Sequence, residues 1–318
     1  MKKVIVFGGG TGLSCLLSGL KLFPVEVTTV ITVSDNGSST GVLKQEFDIP
    51  AVGDVGKVLL SMANVDEDFV KLLRYRFHKA GSSLDNHPVR NILLTALIDL
   101  KGNLTEATRY MSRLLRIKGE VLPLSEERVE LVGKDEMGKP EYYGEEDVSR
   151  NIRRIASLSY DHDIHIGNRV RQKIADADLI IFSPGSLYTS ILPNLLSPEV
   201  CAALAQTAAP LMYVCNLVTQ PGETDGYQVS DHLREINRYL QGRKVDLVLA
   251  NNARIDQQVK DVYRATEAKT VVELDREKVE AMKARIIEDE IFCLDESGSI
   301  RHDPLKTAFL IFSYLMGK

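Results

Sequence analysis

Lys2-Lys3-Val4-Ile5-Val6-Phe7-Gly8-Gly9-Gly10-Thr11-Gly12-Leu13 opens the chain and sets how the rest is read. An apolar run ends in four glycines within five positions, and leucines at 13, 16, 17 and 20 follow at helical spacing. The order is buried strand, tight turn, helix N-terminus. Glycine lets the backbone come close to a ligand, and the first turn of a helix offers unpaired N–H groups with partial positive charge. The stretch points to a phosphate-bearing ligand, with a nucleotide as first candidate. A strict G-x-G-x-x-G fingerprint fails, because Leu13 stands where the third glycine belongs. Asp35 lies near the place of the acidic residue a dinucleotide site uses, so NAD is disfavoured but stays open.

Working outward, residues 25–33 are β-branched and apolar and predict a strand, followed by a polar, glycine-bearing loop over 34–41. Residues 55–117 read as mainly helical, with helices over 55–63, 67–77, 89–100 and 105–115 and Thr105 as an N-cap. Residues 119–147 read as a small hairpin insertion, with strands at 121–124 and 129–132 and a turn at 134–139. Beyond it come a helix over 169–177, strands over 179–182, 211–217 and 245–250, short strands at 270–274 and 285–287, and a closing helix over 306–314. The strands are apolar throughout and alternate with helices. That pattern belongs to a Rossmann-like α/β fold, a mostly parallel sheet with helices on both faces. With no repeat and no linker, residues 1–318 read as a single α/β domain.

The chain has 318 residues, 44% of them hydrophobic and 26% charged, with a formal charge of −5. This is the balance of a globular protein, and it disfavours nucleic acid as partner. No apolar stretch approaches the roughly 20 residues of a membrane span, and no signal peptide is evident, so the expectation is a cytoplasmic protein without membrane insertion. Cys15, Cys201, Cys215 and Cys293 are scattered without a CxxC pair and read as free thiols.

Four loops follow predicted strands and would converge on one sheet edge, where open α/β sheets bind ligands. Gly9, Gly10, Thr11 and Gly12 form the first. Asp35, Asn36, Ser38 and Ser39 form the second, where backbone N–H groups and hydroxyls suit an anion and Asp35 could bind a metal or a sugar hydroxyl. In the third, Gly185 and Ser186 follow Pro184. Ser186 lacks the G-x-S-x-G elbow and an assignable His–Asp pair, so phosphate or carbonyl binding is the better reading, with a plain Ser186-capped turn as the alternative. In the fourth, Asn216 and Thr219 could contact a base or sugar, and Glu223 and Asp225 could hold a metal. Asp161, Asp163 and His165 would share one face of a strand, with His162 beside them, which fits an exposed edge better than a metal site. Arg301 could fork onto phosphate oxygens, while Asp303 with Pro304 would cap the last helix.

Together these motifs resemble the CofD-like family, most closely its gluconeogenesis-factor branch. The residues that carry the resemblance are Gly8–Gly12, Val33–Ser39, Gly53-Asp54, His87 with Asn91, Pro184–Ser190 with Pro193-Asn194-Leu195, Asn216 with Thr219–Gly226, and Arg301-His302-Asp303. The resemblance implies one of two functions. One is a regulatory factor that binds UDP-sugars, notably UDP-N-acetylglucosamine, and supports cell shape and envelope-precursor supply on gluconeogenic carbon sources. The other is a transferase that moves a phospholactyl group from a nucleotide-activated donor with a divalent metal such as Mg. It also implies that Tyr263 and Arg301 help hold the UDP-sugar. Asn36 replaces a usual second acid, which weakens a metal-dependent transferase more than a binder. A regulatory protein partner and a homo-oligomer stay open.

Overall fold

The computed structural model describes residues 1–136, 141–152, 155–295 and 298–317. Its strands, in chain order, are β1 (Lys2–Gly8), β2 (Val25–Ile31), β3 (Glu120–Pro123), β4 (Leu131–Asp135), β5 (Tyr142–Tyr143), β6 (Ile155–Tyr160), β7 (Leu179–Phe182), β8 (Leu211–Val214), β9 (Leu247–Asn251), β10 (Arg285–Asp289), β11 (Phe292–Leu294) and β12 (Ile300–His302). Seven of them form a parallel sheet in the order β10-β9-β8-β7-β1-β2-β3. The apolar runs explain the layering. All of β7 and β8 and the last five residues of β1 are buried, so neither face of the sheet can meet water and helices must cover both. This is the Rossmann-like α/β architecture that the alternating pattern predicts.

Strand order reverses between β1 and β7. The chain leaves β1 toward β2 and β3 on one side, and runs from β7 to β8, β9 and β10 on the other. The crevice at the carboxyl ends of β1 and β7 is therefore the switch point where such sheets take ligands. The helix Gly10–Leu20 leaves β1 directly and packs on the closing helix Pro304–Met316. Gly19 makes that packing close: a Cβ there would sit 1.9 Å from the Pro304 carbonyl oxygen and 3.0 Å from the Ala308 Cβ.

Several local expectations change. Residues 121–123, expected in the hairpin insertion, extend the edge of the main sheet as β3, because β3 lies parallel to β2. The separate antiparallel sheet is β5-β4-β6 and runs on to Tyr160, past the expected end at 147. Within the expected turn at 134–139, Lys134 and Asp135 belong to β4, and Met137–Lys139 lie outside the described residues. The polar 34–41 loop turns helical at Ser38, and the helix Ser38–Glu46 follows. Asn103, not Thr105, caps the helix Leu104–Leu114, its Oδ1 accepting the Glu106 amide at 2.8 Å. Residues 161–167 form no strand, so the Asp161–His165 alternation shares no face. Of 270–274, only Val271 makes a bridge, to Val218. No helix among the described residues is long and apolar enough to cross a membrane.

Gly19→Ala is expected to destabilise the fold by roughly 1–3 kcal/mol, although alanine is the better helix former, because the new methyl meets backbone that cannot move aside. Thermal unfolding of the variant checks this; an unchanged or higher Tm would show that the two helices can part without cost.

Candidate functional site

A crevice of about 490 Å³ lies at the switch point. Its walls are the glycine loop after β1, the Pro184-Gly185-Ser186 turn after β7, residues 216–220 after β8, and the β12 strand with Lys269. Three of the four loops expected to converge do so.

The glycines divide the labour. Gly10 has φ +67°, a left-handed conformation open to glycine, and nothing stands within 4 Å of its missing Cβ. Gly12 is a packing glycine: a Cβ there would lie 2.3 Å from the Pro184 carbonyl oxygen. The helix that begins at Gly10 has no side-chain cap and no acidic residue in its first turn, and its leading residues line the crevice. Thr11 is exposed at the same place.

Opposite stands Arg301. The alternation of β12 buries Ile300 and His302 and turns Arg301 outward. Both neighbours are fixed. The Ile300 amide donates to the Tyr263 hydroxyl. His302 Nε2 donates to the Cys215 carbonyl at 3.0 Å, and burial pushes this imidazole down to about 4, so it is neutral. The Arg301 Nε reaches Asp295 Oδ2 at 3.1 Å, and among the described residues the guanidinium's other donors have no partner. Tyr263 is 5% exposed and does not line the crevice; it grips the strand that carries Arg301.

The other sequence-derived residues separate into two groups. Asn216 lines the crevice, but its amide is engaged with the Gly185 peptide, Oδ1 accepting the N–H at 2.9 Å and Nδ2 donating to the carbonyl at 2.7 Å. Thr219 lines it too, with its hydroxyl accepting the Thr270 amide at 2.9 Å. Ser186 Oγ donates to Glu223 Oε2 at 2.5 Å and accepts the Thr189 amide at 3.0 Å. Ser186 thus caps the turn that follows β7. Glu223 is held by Ser186, Gln220 and Ser149 instead of facing a metal, and burial pushes it up to about 6. Asp225 accepts the Gly222 amide.

Ser38, Ser39 and Asn91 do not line the crevice. Ser39 Oγ pairs with His87 Nδ1 at 2.8 Å and accepts from Asn91 Nδ2 at 3.2 Å, while Asn86 reaches Ser38. The Ser39, His87 and Asn91 bonds are buried and tie the second loop to the helix Val89–Lys101. Asn36 caps a helix: its Oδ1 accepts the Glu146 amide at 3.0 Å at the start of the helix Glu145–Asn151.

Asp35 joins a group of acids that spacing alone did not reveal. A Cβ on Gly9 would lie 2.7 Å from Asp54 Oδ2, and one on Gly53 2.6 Å from Asp35 Oδ2, so both carboxylates press against glycine backbone beside the loop. Asp54 pairs with Lys57 at 2.7 Å and Asp35 accepts the Gly37 amide at 2.8 Å. Burial first, and the charge of Asp54 second, raise Asp35. Burial, then Asp35 and Asp54, push Glu145 up to about 8. Among the described residues no three His, Cys, Asp or Glu side chains are set around a common metal position. Sequence reading did not single out Glu145 because it sits in a short, charge-rich helix that looks like any solvated segment. Lys269, which also lines the crevice, carried no motif that would mark it, while Gln220 lies within the Thr219–Gly226 motif but was given no role.

With this geometry in place, the chain can be set beside known proteins. The family model described as 2-phospho-L-lactate transferase CofD matches residues 4–292. A Bacillus subtilis protein named gluconeogenesis factor is 37% identical over 314 residues, covering 98% of each chain. A Halalkalibacterium halodurans protein of the same name is 39% identical over 308 residues, 96% of this chain and 94% of that one. A Bacillus halodurans crystal structure matches with a TM-score of 0.93 at 38% identity, covering 98% of this chain and 99% of the other.

The raised Glu145 has a consequence for stability. A glutamate that ionises near 4.5 in the unfolded chain and near 8 in the folded one stabilises the fold below its unfolded value and loses that contribution as pH rises through about 8. Glu145→Gln is therefore expected to match the parent in Tm at about pH 5 and to exceed it at about pH 8.5. Thermal melts across that range check it, and a pH-independent difference would place the cause elsewhere.

Proposed function

This chain belongs to the CofD family, and we propose that it acts as a gluconeogenesis factor that binds a nucleoside-diphosphate sugar, UDP-N-acetylglucosamine first among them, in the switch-point crevice. The observation that carries the reading is Arg301, held between two fixed neighbours and facing the uncapped first turn of the Gly10–Leu20 helix. A guanidinium and a ring of free N–H groups across one cleft suit a diphosphate, and Lys269, itself paired with Glu267 at 2.5 Å, borders the same cleft. In this reading Gly10, Thr11 and Gly12 take one phosphate and Arg301 the other. Gly185, held in place by Asn216, and the Thr219-Gln220 backbone border the nucleoside. Tyr263 serves the ligand indirectly, as the anchor of the Arg301 strand. Signalling from such a binder to envelope-precursor supply and cell shape would need a protein partner that senses the filled crevice.

The acid group favours a second reading. A pure binder has no need for Asp35, Asp54 and Glu145 crowded beside its phosphate loop. A transferase of phosphorus-containing groups would use them, with Asp35 holding a divalent ion or polarising an acceptor hydroxyl.

UDP-N-acetylglucosamine at a hundredfold excess over its Kd is expected to stabilise the protein by about 2.7 kcal/mol, a rise of several degrees in Tm. Arg301→Ala should remove most of that rise, and Asp35→Asn should leave it. No shift at millimolar ligand would sink the binding reading. Metal-dependent turnover that disappears in Asp35→Asn would decide for the transferase.

A further inference from the structure

At the opposite end of the sheet, near the amino ends of β2 and β3, a second concavity of about 470 Å³ opens between the helices Leu104–Leu114 and Asn168–Asp176. Five cations line it: Arg109, Arg113, Arg116, Arg169 and Lys173. Three are already answered. Arg109 pairs with Glu106 at 2.9 Å. Arg169 forks onto both Glu120 oxygens at 2.9 Å, and Lys173 bridges Glu26 at 2.8 Å and Glu120 at 3.0 Å. Arg113 and Arg116 have no hydrogen-bond or ion-pair partner for their side chains among the described residues. In a chain of net charge −5, this is a local excess of two positive charges inside a concave wall.

Arg116 is the telling residue. It follows the helix Leu104–Leu114 and its Leu115 cap with φ +51°, the left-handed position that closes a Schellman turn, completed by the Ile117 amide donating to the Ser112 carbonyl at 3.0 Å. Glycine is the residue that costs least there. The negative end of the helix accounts for a basic residue at Arg113, but not for a long side chain at a position that favours glycine. Ile117, Val121 and Leu122 add apolar surface to the lining of the concavity. Two unanswered arginines in the lining of a cavity of ligand size, together with apolar surface, fit a small organic molecule that carries a doubly charged phosphate group.

We propose that this concavity is a second anion site, remote from the crevice, where Arg113 and Arg116 bind the phosphate group of a small phosphorylated molecule. The test uses inorganic pyrophosphate as probe, titrated calorimetrically at constant ionic strength into the full chain carrying Arg301→Ala, so that the crevice contributes least. Binding is expected in that background. Adding Arg116→Gly should weaken it by at least about tenfold, the worth of a charged hydrogen bond, while raising Tm, because glycine relieves the left-handed strain. Arg113→Gln should weaken it to a similar degree without altering the backbone. No binding in the Arg301→Ala background would overturn the site, as would equal binding with and without Arg116→Gly. A loss of affinity accompanied by a fall in Tm would also overturn it, since that pattern assigns Arg116 a structural role.

Discussion

The contact between Gly12 and the carbonyl of Pro184 is the constraint on which the site depends. Strand order reverses between β1 and β7, and their two following turns must pass each other at the point where the sheet divides. They do so at backbone contact, with no room for a side chain on Gly12. Asn216 then clamps the far side of the same turn by holding both polar atoms of the Gly185 peptide. The glycine loop, the β7 turn and the β8 loop thus form one connected wall. The position of the Gly10–Leu20 helix end, and with it the direction of its free N–H groups, follows from that wall rather than from any cap of its own.

The opposite wall is built on a different principle. Arg301 belongs to a three-residue strand that could not hold a position by ladder hydrogen bonds alone. Tyr263 and His302 supply what the strand lacks, one from the helix Gln257–Glu267 and the other by reaching the end of β8. His302 can do this because it is buried and neutral; a charged imidazole there would be an uncompensated buried cation. Fixing both neighbours costs conformational entropy during folding and not at binding, which is how a flexible guanidinium becomes a preorganised one.

Much of this was legible in the sequence, and the parts that were not share a physical cause. The apolar runs at 4–7, 179–182 and 211–214 are fully buried strands, and their character survives without context because both faces of a parallel sheet are dry. Gly10 and Gly12 were legible because glycine at a strand end has few other uses. Asn216, Ser186 and Thr219 were correctly placed at the sheet edge, but their side chains turn toward neighbouring backbone, and polar loop residues serve either purpose with the same letters. Ser39 and Asn91 went to a buried network for the same reason. Glu145 and Arg116 were out of reach. The significance of one lies in two carboxylates more than ninety residues away in sequence, and that of the other in a backbone angle, and neither is encoded by local pattern.

The acids beside the glycine loop show what such a site costs. Burying Asp35 and Glu145 near Asp54 raises both, Glu145 to about 8, so at neutral pH the fold keeps on Glu145 a proton that the unfolded chain would release. Lys57 offsets part of the repulsion by pairing with Asp54, and its own affinity for a proton rises in return. A packed apolar cluster would serve the fold better at that place. On the proposed transferase reading, a cation or an acceptor hydroxyl would approach these acids during function. On that reading a ligand held at the glycine loop would meet the acids behind it, and the crevice and the acid group would answer to different parts of one molecule.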